Sequence, residues 1–403
     1  MKHHIDELAI FGGQPAFTQP LHVGRPNLGD RQRLISRIDE LLDRRWLTND
    51  GPLVQEFERR LVEFTGAKHC IATCNGTVAL ELAARATEIA GAVNEGEVIV
   101  PAFTFVATAH ALRWLGLRPV FCDIEPMGHT IDPERVEGLI TPRTRAIVGV
   151  HLWGRPCHID PLQEIAERHG LTLLFDAAHA FGCTWRGGPI GGFGKAEIFS
   201  FHATKFVNAF EGGAIATNDD ALAAKLRLMR NFGFAGYDQV VSLGVNGKMS
   251  EVSAAMGLTS LESCHEFIAV NRRNHEQYRH ELSGIAGLTM LVYDPGEQSN
   301  YQYVVAEVDA EAAGLSRDDL VEVLWAENVL ARRYFFPGCH RMEPYLSTSE
   351  PPHLPVTDRV AGSILLLPTG TTIGPAEITE ICAIIRTAVS GAERVQSKLL
   401  ERR

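Results

Sequence analysis

From Ala67 onward, short apolar runs alternate with segments patterned as helices, and that alternation restricts the chain to folds built on a parallel or mostly parallel sheet. Strands are predicted at residues 69–73, 97–100, 119–124 and 146–152, with helices at 77–90, 107–115, 133–139 and 161–169 between or after them. Two further runs carry chemistry at their ends. Residues 171–175 form an apolar run that stops at Asp176, the pattern of a buried strand delivering a carboxylate at its C-terminal edge. Residues 196–201 deliver Ser200 and, shortly after, Lys205. In a doubly wound sheet such strand ends face the ligand crevice.

A lysine at that edge has two uses. It binds phosphate as a point charge, or, desolvated, it forms a Schiff base with a carbonyl. Asp176, 29 positions upstream, favours the second use, because a carboxylate there can keep a pyridine nitrogen protonated, as pyridoxal 5'-phosphate (PLP) requires of its site. Ser200 offers a hydroxyl to the cofactor's phosphate, and Gly212-Gly213 lets backbone approach where a side chain would collide. At Asn75-Gly76-Thr77 the first strand meets its helix. The backbone donors of Gly76 and Thr77 read either as an anion site at a helix N-terminus or as an ordinary turn capped by Thr77, and turn chemistry leaves both open. Phe105, just past a strand end, reads as a core aromatic or as a ring against a ligand.

The segments Asp176-Ala177-Ala178-His179-Ala180, Ser200-Phe201-His202-Ala203-Thr204-Lys205 and Glu211-Gly212-Gly213-Ala214 resemble, in order and spacing, the sugar-nucleotide aminotransferases of PLP fold type I known as the DegT/StrS group. The likeness runs from about Trp46 into the C-terminal region. It implies an α/β protein with a mostly parallel seven-stranded sheet between helices, plus a smaller C-terminal α+β domain. The implied division is a large PLP-binding domain with an N-terminal arm over 1–255, then a connecting helix and small domain over 256–403.

The resemblance also implies roles. Lys205 and Asp176 become the catalytic pair, as the Schiff-base lysine and the acid at the ring nitrogen, with His179 at the ring's phenolic oxygen. Gly76, Thr77 and Ser200 become phosphate ligands, and Phe105 stacks on the ring. Asn246 reaches the phosphate of the neighbouring subunit, so a homodimer with shared active sites is expected; Lys248 stands where arginine is common. Thr48 and Asn49 fall in a loop at the rim of the active site. Arg333, Tyr334 and His340 lie in a turn-rich stretch near the substrate, where solvated arginines are the other reading. The implied reaction is a ping-pong transamination from L-glutamate to a nucleotide-linked keto sugar. Residues 148–157 and 334–340 look like the members that aminate C4, whose substrate is dTDP-4-keto-6-deoxy-D-glucose. Amination at C3 of a 3-keto sugar is the competing reading. A regulatory protein on the same fold is expected to lose Lys205 or Asp176, and a sugar 3-dehydratase to carry histidine at 205; both residues are intact.

Composition sets the remaining bounds. At 403 residues two domains are expected, and 45% hydrophobic with 22% charged residues is ordinary for a globular chain. A formal charge of −11 argues against a nucleic-acid or anionic-membrane partner. The eight cysteines form no CxxC pair, so buried free thiols in a reducing cytoplasm are expected, with no metal site. Neither a membrane-length apolar run nor a signal-peptide core is present, which predicts a soluble cytoplasmic protein. The glycine-rich stretch 187–194 lacks the GxGxxG order of a dinucleotide site. Gly194-Lys195 is no phosphate loop either, because Pro189 replaces its first glycine and Ala196 its Ser or Thr.

Overall fold

The computed structural model describes residues 1–90, 96–347 and 351–402. Its central sheet contains β1 (His69–Thr73), β2 (Glu97–Pro101), β3 (Arg118–Cys122), β4 (Thr144–Val150), β5 (Thr172–Asp176), β6 (Ala196–Ser200) and β7 (Gly213–Thr217), in the spatial order β1-β7-β6-β5-β4-β2-β3. All run parallel except β7, which lies antiparallel to β1 and β6. The mostly parallel seven-stranded sheet is as expected. Its inner strands are apolar on both faces because both faces are covered. Phe175 and Phe199 point into one core with Phe57, Leu61 and Phe201, while their neighbours Leu174 and Ile198 point into the other with Ile71, Val98 and Val148.

The helices that matter for the site are α1 (Arg31–Arg44), α2 (Pro52–Thr65), α3 (Gly76–Ala86) and α4 (Ala107–Trp114), followed by α5 (Ile159–His169) and α6 (Asp220–Arg230). The loop before α2 is pinned from afar. Glu251 accepts the N–H groups of Leu53 and Val54, each at 2.9 Å, and donates its own amide to the Leu47 carbonyl at 3.0 Å. A buried carboxylate thus satisfies the open donors of a helix N-terminus.

The expected connecting helix is two, α7 (Glu251–Glu262) and α8 (Cys264–Leu282), broken at Ser263, where φ is −98° and ψ 5°. The expected boundary at 255/256 therefore falls inside α7. Beyond α8 lies a three-stranded antiparallel sheet of β8 (Leu288–Met290), β9 (Val304–Val308) and β10 (Ile364–Leu367), packed with α9 (Arg317–Ala326) and α10 (Pro375–Ser390). The N-terminal arm was expected with the large unit. It packs here instead, with Leu8, Ile10 and Leu21 in the same core and Leu21–His22 pairing parallel with Val329–Leu330. Among the described residues no helix is long and apolar enough to cross a membrane, and no cluster of three or more His, Cys, Asp or Glu could hold a metal.

Candidate active site

Strands β5 and β6 end side by side, with Asp176 paired to Ile198 across the ladder. Asp176 is 6% exposed; its Oδ2 accepts from Thr108 Oγ1 at 2.7 Å and its Oδ1 from the Ala178 N–H at 3.0 Å. Behind Thr108, the Thr104 hydroxyl oxygen lies 3.1 Å away. Past β6 the chain turns tightly, the Lys205 N–H donating to the His202 carbonyl at 2.8 Å, and this brings the lysine side chain back over the strand ends. Burial pushes its amine down from 10.5 to about 8, against the pull of Asp176, whose negative charge works upward.

The first turn of α3 lies opposite. Asn75, not Thr77, is the cap: its side chain accepts from the Val78 N–H at 2.9 Å. The amides of Gly76 and Thr77, the first two of the helix, are left pointing out of its N-terminus. Both sides of this turn are crowded, and at Gly213 only glycine fits without a shift of backbone. A Cβ on Gly76 would lie 3.0 Å from Ser200 Cβ, and one on Gly213 would lie 2.5 to 2.7 Å from the Asn75 and Gly76 backbone. The close approach predicted for Gly212-Gly213 is therefore the passage of β7 against the start of α3.

A cavity of about 540 Å³ joins these groups, lined by Gly76, Thr77, Phe105, Asp176, His179, Ser200, Lys205 and Tyr334 among others. Phe105 is 57% exposed on the wall, so it is not a core aromatic. His179 is 7% exposed, with Nε2 3.1 Å from Tyr303 Oη and its ring stacked on Trp153 at 5.8 Å. Burial and the nearby charge of Lys205 hold it well below the ordinary histidine range. Its Nδ1 has no partner among the described residues.

Five predicted residues do not line this cavity. Thr48 and Asn49 are exposed in the loop before α2. Asn246 is exposed on the surface, its backbone bridged to Asn231. Arg333 turns to Asp318 at 3.2 Å and to the Trp325 ring at 5.5 Å, and His340 is buried with Nε2 3.1 Å from Asp358. Both have protein partners that hold them off the cavity. Conversely, Thr104, Tyr303 and Phe335 line it and were not singled out, nor was Thr108 behind it. The four-residue spacing of Thr104 and Thr108 past a strand end was the one available signal.

These groups fit PLP: an acid for a ring nitrogen, a desolvated amine for an aldehyde, and a helix N-terminus opened by two glycines for a phosphate. An exposed aromatic ring and an unpaired buried imidazole nitrogen stand beside them. Residues 29–386 match the DegT/DnrJ/EryC1/StrS aminotransferase family, and the chain belongs to it. It is 36% identical over 368 residues to the dTDP-4-amino-4,6-dideoxy-D-glucose transaminase of Escherichia coli, covering 90% of this chain and 97% of that one. GDP-perosamine synthase of Caulobacter vibrioides is 35% identical, covering 91% and 97%. The crystal structure of DesI in the presence of its TDP-sugar product is 51% identical with a TM-score of 0.92, covering 98% of this chain and 99% of that one. The chain is a PLP-dependent sugar-nucleotide aminotransferase.

Proposed function

We propose that the enzyme transfers the amino group of L-glutamate to dTDP-4-keto-6-deoxy-D-glucose, giving dTDP-4-amino-4,6-dideoxy-D-glucose and 2-oxoglutarate. The observation that carries this reading is the 51% identity with DesI, a protein solved with a TDP-sugar product, over nearly the full length of both chains. The Escherichia coli transaminase supports the same sugar.

When bound, PLP withdraws electrons from the donor's alpha carbon and carries the amino group between the two half-reactions. Lys205 supplies the amine that holds the cofactor's aldehyde. The same Nζ, when free, would take a proton at the donor's alpha carbon, a task suited to an amine near pKa 8. Asp176, accepting from Thr108 and Ala178, keeps the ring nitrogen protonated. The Gly76 and Thr77 amides with the Ser200 hydroxyl bind the phosphate, favoured by the helix dipole. His179, neutral, faces the phenolic oxygen, and Phe105 covers the ring. In a homodimer, exposed Asn246 serves the partner's phosphate, while Tyr334 lies toward the sugar.

The test is product analysis by mass spectrometry and NMR with PLP, L-glutamate and a panel of 4-keto and 3-keto sugars linked to dTDP or GDP. Amine at C4 of the dTDP sugar is expected. Amine at C3, or turnover of only the GDP sugar, would refute the assignment.

A further inference from the structure

We infer that Thr108 is a positioning residue for this reaction, its hydroxyl, aligned by Thr104, holding the Asp176 carboxylate in the orientation the cofactor's ring nitrogen needs. The inference rests on the proposed role of Asp176. The direction of each hydrogen bond follows from the groups involved. An ionised carboxylate only accepts, so the single Thr108 proton goes to Asp176 Oδ2 at 2.7 Å, and the 3.1 Å contact behind it must have Thr104 donating to Thr108. Both threonines are 1% exposed, so water does not compete.

The usual habit of a threonine in a helix is to bond back to the carbonyl four residues earlier. Thr65, Thr87 and Thr259 do so in this chain, donating to Leu61, Ala83 and Ala255 at 2.7 to 2.8 Å. Thr108, second in α4 and so without a helical carbonyl four residues back, gives its proton to a carboxylate 68 positions away. With the Ala178 amide on Oδ1, Asp176 is held at both oxygens, and its remaining lone pairs are free for a ring N–H.

Three variants test this: Thr108→Val, which keeps the shape and removes the donor, Thr108→Ser, which keeps the donor, and Thr104→Val, which removes only the alignment. The readouts are the PLP dissociation constant of the apo-protein, and kcat and KM separately. Thr108→Val should weaken PLP about tenfold and lower kcat at least about tenfold with little change in sugar KM, as for loss of a hydrogen bond to a charge. Thr108→Ser should stay within about threefold of the parent, and Thr104→Val should lose about threefold. An unchanged PLP affinity and kcat in folded Thr108→Val, or a serine variant as damaged as the valine, would overturn the inference. If the valine variant does not fold, an unaltered PLP affinity and kcat in Thr104→Val do the same. Asp176→Asn separates the two levels: full activity and PLP affinity there would remove the role of Asp176 itself, whereas their loss beside an unaffected Thr108→Val removes only the role of Thr108.

Discussion

Changing pH on the apo-protein probes the burial of Lys205 directly. An amine at its ordinary value of 10.5 is about 0.03% neutral at pH 7, whereas one held at about 8 is about 9% neutral, a gain of roughly 300-fold in the form that attacks a carbonyl. The rate of PLP incorporation, followed by visible absorbance and by borohydride trapping on Lys205, should therefore climb with pH, pass its midpoint near 8 and level off. Because the Asp176 charge opposes the effect of burial, Asp176→Asn should move that midpoint lower, not higher. Linkage gives the matching sign for stability. The folded state binds this proton less tightly than the unfolded chain, so the site costs at most about 3 kcal/mol below pH 8, and the apo-protein recovers it as the pH rises from about 8 toward 10.5. A wild-type midpoint near 10, or an upward shift in Asp176→Asn, would refute the argument from burial.

Three other substitutions address separate parts of the site. Gly213→Ala forces a Cβ to within 2.7 Å of the Asn75 and Gly76 backbone, so PLP affinity measured by fluorescence titration should fall at least about tenfold, a cost of about 1.4 kcal/mol or more. Glu251→Ala leaves the Leu53 and Val54 amides buried without an acceptor, and denaturant unfolding should show a loss of about 2–4 kcal/mol; less than about 1 would contradict the capping role. Phe105→Ala should weaken PLP binding by about 0.5–1.5 kcal/mol while leaving the melting temperature nearly unchanged, since the ring is exposed; a large drop in melting temperature would mark it as a packing residue instead.

The sequence by itself determined the layered α/β sheet, the strands that end at Asp176 and Ser200, and the return of Lys205 to that edge. Each depends on periodicity and turn chemistry within a few residues, which short-range sterics and burial settle. Tertiary structure alone decided which distant groups complete the site. Thr108 meets Asp176 across 68 positions only because the first turn of α4 lies beside the end of β5, and β7, antiparallel between β1 and β6, sets Gly213 against the start of α3. The same holds for groups that the fold engages away from the cavity. Arg333 and His340 are taken by Asp318 and Asp358, and the N-terminal arm joins the C-terminal core, since a polar side chain takes whichever partner the fold brings within hydrogen-bond reach and an apolar segment the nearest uncovered face, wherever in the chain these lie.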